Sequence, residues 1–123
     1  MYSKDYKEYI IHIKSEYRKI GYVISPAFNN DKIFFNRKGF QHLLYKNGDR
    51  RSKKDQMSRL VLISHAVSIV ASVKVYDEYR VNNGVKFWSL KKQLQSKIIT
   101  VIICQVNDSV KYFLSVMSKN MPK

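Results

Sequence analysis

The sequence predicts an α+β fold in a single domain over residues 1–123, with N-terminal helices packed on a twisted antiparallel sheet. Up to about residue 74, apolar residues recur every three to four positions; beyond it they alternate. The turn signals of the second half, Asn-Asn-Gly at 82–84 and Asn-Asp-Ser at 107–109, stand between those alternating runs. Helices first and strands after is an α+β order. A chain of 123 residues with 45% hydrophobic residues has the length and composition for one core.

Each element has its own signal. "DYKEYIIHIKSEYRKI" sets Tyr6, Tyr9, Ile10, Ile13, Tyr17 and Ile20 on one helical face, and Gly21 stops the helix, which fills most of 1–25. "YVIS" reads as a short strand ended by Pro26. A second helix is expected from about Asn36 to Lys46, closed by an Asn-Gly-Asp turn at 47–49. A third begins near Lys53 with Ser52 as its cap and carries Met57, Leu60 and Val61. It continues, or breaks and restarts, through "SHAVSIVASV". "EYRV" and "VKFWSL" form a hairpin across Asn-Asn-Gly, "KIITVIICQV" is a central strand apolar on both faces, and "VKYFLSVMSK" closes the sheet.

Charge is the strongest global signal. Lys and Arg number 23 against 9 Asp and Glu, a net +14. An excess of this size implies a polyanionic partner. Counterion release makes nucleic acid the default, with an acidic protein or an anionic membrane surface as the other classes. No apolar run approaches the ~20 residues that span a bilayer, and "MYSKDYKEY" lacks the apolar stretch of a signal peptide. The single Cys104 excludes an internal disulfide and reads as a small core residue. His12, His42 and His65 stand at no ligand spacing, so neither metal nor cofactor is expected. His12 reads as surface and His65 as packed.

The candidate site residues lie in "FFNRKGFQHLLYKNGDRRSKKDQMSRL" and in the last strand. On a helical wheel Phe40, Leu43 and Leu44 face inward, while Lys38, His42 and Tyr45 are neighbours on the opposite side. His42 is then either a solvated histidine on a basic helix or a working base, kept neutral by the cation one turn away. Lys46, Arg50, Arg51, Lys53 and Lys54 form a patch suited to RNA backbone. Arg59 alone reads as a solvated helical arginine. In the last strand, alternation places Val110, Tyr112, Leu114 and Val116 inward, and Lys111, Phe113, Ser115, Met117 and Lys119 outward. A hydroxyl among lysines is a phosphate-binding arrangement, and equally an ordinary exposed strand face. Tyr79 and Trp88 can stack on bases, with core packing favoured for Trp88.

The order "RKGFQH", "SRL", hairpin, "KIITVII", "KYFLSV" resembles the barnase–EndoU–colicin–RelE group of metal-independent ribonucleases. It is most similar to the branch found in phage proteins and in C-terminal toxin domains of contact-dependent inhibition systems. The likeness covers roughly residues 33–119. It implies RNA cleavage, often of tRNA, by 2′-hydroxyl attack to leave a 2′,3′-cyclic phosphate. It assigns catalytic roles to Arg37, Lys38 and His42 from "RKGFQH", to Arg59 from "SRL" and to Ser115 from "FLSV". No glutamate stands near "FNRKGFQH", so a barnase-style carboxylate base is missing. The resemblance further implies an acidic immunity protein as partner. It also implies action in the bacterial cytoplasm after delivery as part of a larger secreted or surface protein. A non-catalytic RNA-binding module is the alternative, and a basic docking domain for an acidic protein is the third.

Overall fold

A computed structural model of the protein describes residues 4–121. Helix α1 (Lys4–Ile20) ends at Gly21, whose φ of 69° favours glycine. Strands β1 (Tyr22–Ser25) and β2 (Asp31–Phe34) pair antiparallel across a 3₁₀ turn at Pro26–Phe28. Next come α2 (Arg37–Leu44), a small hairpin of β3 (Tyr45–Lys46) and β4 (Asp49–Arg50), α3 (Lys53–Leu60) and α4 (Ile63–Ser72). The chain closes with β5 (Glu78–Asn82), β6 (Val85–Leu94), β7 (Lys97–Val106) and β8 (Lys111–Asn120).

The α+β class holds, with helices packed against a six-stranded sheet of order β1-β2-β8-β7-β6-β5. The sheet is mixed rather than antiparallel throughout. Strand β2, whose "DKIF" carries no alternation to announce it, lies parallel to β8 through Ile33–Lys111 and Phe34–Tyr112. All other pairings are antiparallel. One apolar cluster joins Leu90, Val101, Ile103, Phe113 and Val116 of the sheet to Tyr17, Phe40, Leu43, Leu60, Ala66, Ile69 and Val70 of the helices.

Local corrections follow from two backbone features. Asn47 and Gly48 both have positive φ, which closes a tight hairpin and pulls Tyr45 and Lys46 out of the expected helix. In β8 a bulge at Leu114 separates the pairs Ile102–Ser115 and Ile103–Phe113 and shifts the alternation. Phe113, expected on the outer face, is instead buried, stacked 4.8 Å from Phe35. Ser115 keeps the outer face, opposite Ile102, but is buried there, and Tyr112 turns to the face opposite Phe113. Cys104 and Trp88 are buried and His12 is exposed, but His65 is exposed rather than packed.

Beyond Tyr112, no strand among the described residues lies beside β8 on the β2 side; α2 lies there instead. Their contact is close at Gly39. A Cβ built there would stand 2.2 Å from the Phe113 carbonyl oxygen and 2.8 Å from the Tyr17 hydroxyl, so only glycine permits the approach.

Candidate functional site

Helix α2 begins where Asn36 caps it, its side chain accepting from the Gly39 amide at 3.4 Å. Tyr17 fixes the same corner by donating to the Asn36 carbonyl at 2.7 Å. The other end is held from below. The Arg51 amide donates to the Leu44 carbonyl at 2.8 Å, and Arg51 Nε donates to the His42 carbonyl at 2.9 Å. Gln56, fully buried, donates Nε2 to Leu44 as well and accepts from the Tyr6 hydroxyl. The last carbonyls of α2 are thus satisfied by a cation and an amide, both favourable at a helix C-terminus.

This support orients an open cleft of about 960 Å³ lined by Asn36, Arg37, Lys38, Gln41, His42, Tyr45, Asn47, Gly48 and Leu114. Three of the expected catalytic residues, Arg37, Lys38 and His42, therefore share one surface. His42 is not the solvated residue of the helical wheel. It is half-buried, and its Nδ1 is shut off from solvent without a hydrogen-bond partner among the described residues. Nε2 is the nitrogen left to serve the cleft. The ring is held below its usual pKa chiefly by burial, then by the charges of Arg51, Arg59 and Lys46. The direction matches expectation; the named cause, Lys38, does not.

The other two expected catalytic residues stand apart. Arg59 Nη1 donates to Ser115 Oγ at 2.8 Å, and Arg59 Nε donates to Asp55 at 3.0 Å. Arg59 lines a different depression of about 820 Å³, on the far side of α3, with Lys97, His65 and Asn120. Ser115 is consumed by this arginine and does not share a phosphate site with Lys111 and Lys119. Lys111 is paired with Asp31 at 3.0 Å and lies over the rings of Phe28 and Trp88, while Lys119 is exposed opposite Ile98.

The basic patch also divides. Lys46, Arg50, Lys53 and Lys54 are exposed. Arg51 is only 7% exposed and is a structural residue, joined to Asp55 at 3.0 Å. Burial pushes the Asp55 carboxyl up, but hydrogen bonds from Arg59 and Arg51 outweigh it and hold the group below the usual carboxylate range. Sequence reasoning misses Asp55, although it stands four residues from each arginine, the spacing that makes helical ion pairs. Tyr79 is half-exposed and leans on Trp88, with centroids 5.3 Å apart.

Among the described residues no group of three or more His, Cys, Asp or Glu is arranged to hold a metal ion. No helix among them is long and apolar enough to cross a membrane. No family model matches the chain, and neither a curated protein nor a solved structure is detectably similar to it.

Proposed function

We propose that the protein is a metal-independent ribonuclease acting through the His42 cleft. The observation that carries this is a half-buried imidazole, one nitrogen shut off from solvent, in a cleft lined by Arg37 and Lys38 of a chain of net charge +14. A phosphodiester entering the cleft meets the two cations. Its negative charge also offsets the arginines and lysine that depress His42, so the ring regains basicity as the substrate arrives.

The reaction then needs two proton transfers. His42 Nε2 takes the proton of the ribose 2′-hydroxyl, and O2′ forms a bond to the adjacent phosphorus. Charge on the non-bridging oxygens is stabilised by Arg37 and Lys38. As the bond to O5′ breaks, the proton held on His42 Nε2 passes to the leaving oxygen, so the one imidazole serves as base and then as acid. The products are a 2′,3′-cyclic phosphate and a 5′-hydroxyl. Arg59 and Ser115 act in this scheme as positioning residues: with Asp55 and Arg51 they hold α3 against β8 and α2. The resemblance adds tRNA as the RNA, an acidic immunity protein as partner and a toxin's role in the bacterial cytoplasm.

Incubation with total tRNA in EDTA tests this. Cleavage with 2′,3′-cyclic phosphate ends is expected, and DNA, which lacks the nucleophile, should survive. One observation favours a second reading. Among the described residues no carboxylate or carbonyl holds the buried Nδ1, a support that catalytic histidines ordinarily have. If tRNA is bound but left intact by folded protein, His42 is a hydrogen-bond donor in an RNA-binding module. Absence of both binding and cleavage at low salt removes both readings.

A further inference from the structure

The helices cover one face of the sheet; the other carries an ordered row of aromatic rings. Directly opposed residues of neighbouring strands share a face. One register line crosses all six strands through Tyr22, Phe34, Tyr112, Cys104, Phe87 and Arg80. None of these residues belongs to the helix-side core. At ordinary strand spacing the line is roughly 24 Å long.

Cations are stationed along it. Lys32 Nζ lies 4.8 Å from the Tyr22 centroid, Lys38 Nζ 5.5 Å from that of Tyr112, and the Arg80 guanidinium 4.9 Å from that of Phe87. Tyr22 is 47% exposed, Phe34 and Phe87 are half-buried, and Tyr112 with Cys104 forms a buried floor between them. Beside Phe87 a depression of about 380 Å³ is lined by Ser89, whose buried hydroxyl has no hydrogen-bond partner among the described residues. The carboxylate near this end of the row, Glu78, is held by Lys91 at 2.7 Å.

Rings flanked by cations suit a chain of unpaired bases on a phosphate backbone. The bases stack on the rings and the phosphates meet the cations. A duplex hides its base faces, and an acidic protein needs the cations but not the flat rings. We propose that this face binds single-stranded RNA, with Tyr22, Phe34 and Phe87 stacking bases and Lys32, Lys38 and Arg80 taking the backbone. Lys38 also lines the His42 cleft, so it joins this track to the site. The proposal rests on RNA being the partner, and not on cleavage.

The probe is a fluorescent single-stranded thymidine oligodeoxynucleotide of about twelve nucleotides, within the range a compact single-strand-binding module covers. Lacking the 2′-hydroxyl, it cannot be consumed by the proposed reaction. Tyr22→Ala and Phe87→Ala should each weaken its binding by about fivefold or more. Tyr22→Trp should restore the Tyr22 site, and affinity for a duplex of equal length should not change. Ultraviolet crosslinking of wild-type protein to a 5-bromodeoxyuridine version should label peptides containing Tyr22, Phe34 or Phe87. Unchanged single-strand affinity in both alanine variants, equal loss on the duplex, or crosslinks confined to the helix side would overturn the proposal. If these results hold while tRNA stays intact, the binding face stands and the ribonuclease falls. If tRNA is cleaved while the alanine variants bind like the parent, the face falls alone.

Discussion

Replacing Arg51 by alanine separates a structural cation from an RNA contact. The side chain is almost wholly buried and makes two charge-assisted hydrogen bonds, to the His42 carbonyl at 2.9 Å and to Asp55 at 3.0 Å. Such bonds contribute about 1.5–3 kcal/mol each when well formed. The Asp55 side chain is 39% exposed and keeps Arg59, so its share is discounted for solvent screening. The bond to the His42 carbonyl and the void left by the stem then dominate, and the loss should total about 2–4 kcal/mol. For a chain of this length that is a fall in melting temperature of roughly 10 °C. Lys54→Ala is the control: Lys54 is exposed in the same basic stretch, and its loss should shift stability by no more than about 0.5 kcal/mol. Thermal melts and RNA titrations across a salt series, on the same preparations, give both readouts. Arg51→Ala should melt early, and below its melting point should keep the parent's salt dependence. If it melts with the parent and instead flattens the salt dependence as Lys54→Ala does, the buried bridge does not hold α2 and α3 together.

Other outcomes follow from the same geometry. His42→Gln should keep its melting temperature at pH 7.5 while cleavage of tRNA falls by on the order of a hundredfold; equal cleavage by variant and parent would remove His42 from the chemistry. Because the folded protein holds His42 below its usual pKa, the unfolded chain takes up that proton first as pH falls. Stability should therefore decline as pH drops below about 6.5, and His42→Gln should flatten part of that decline in urea melts at stepped pH. Bound phosphate raises the pKa again, so affinity for a DNA oligonucleotide should rise from pH 7.5 to 5.5 more in the parent than in His42→Gln. Neutralising Lys46 and Lys54 together should lower the log–log salt slope of RNA binding by roughly 0.7–0.9 for each phosphate no longer neutralised, with melting unchanged. Gly39→Ala should destabilise by about 1–3 kcal/mol, since its methyl meets a backbone carbonyl that has nowhere to move; parent-like melting would show that α2 can step back from β8.

Much of the fold was legible because its signals are local. The Tyr and Ile stripe of α1, the Ser52 cap and the Asn-Gly turns each declare themselves within a few residues. What stayed hidden depends on partners far along the chain. Strand β2 is four residues without alternation, and its parallel pairing with β8 joins positions almost eighty residues apart. The bulge at Leu114 has no glycine to mark it, yet it moves Tyr112 and Phe113 off the faces that strict alternation assigns. Within the site, the grouping of Arg37, Lys38 and His42 was readable because all three share one short helix. The capture of Ser115 by Arg59 and the burial of Arg51 were not, since both depend on how α3 meets α2 and β8. The row of rings across the open face could not be read either: it needs the register of all six strands at once.

The seat of α2 against β8 also bears on how the chain stays out of aggregates. Past Tyr112, "FLSV" is an apolar strand edge of the kind that recruits other chains, and α2, with Arg59 donating to the Val116 carbonyl at 3.5 Å, occupies the place a neighbouring strand would take. The helix that carries His42 is therefore also the guard of this edge. Damage that loosens the cleft, whether at Gly39, Arg51 or Gln56, uncovers a sticky strand in the same step. Variants with a relaxed site should be lost to precipitation before they can be assayed as weak catalysts, which narrows the sequences open to this helix more than its chemistry alone requires.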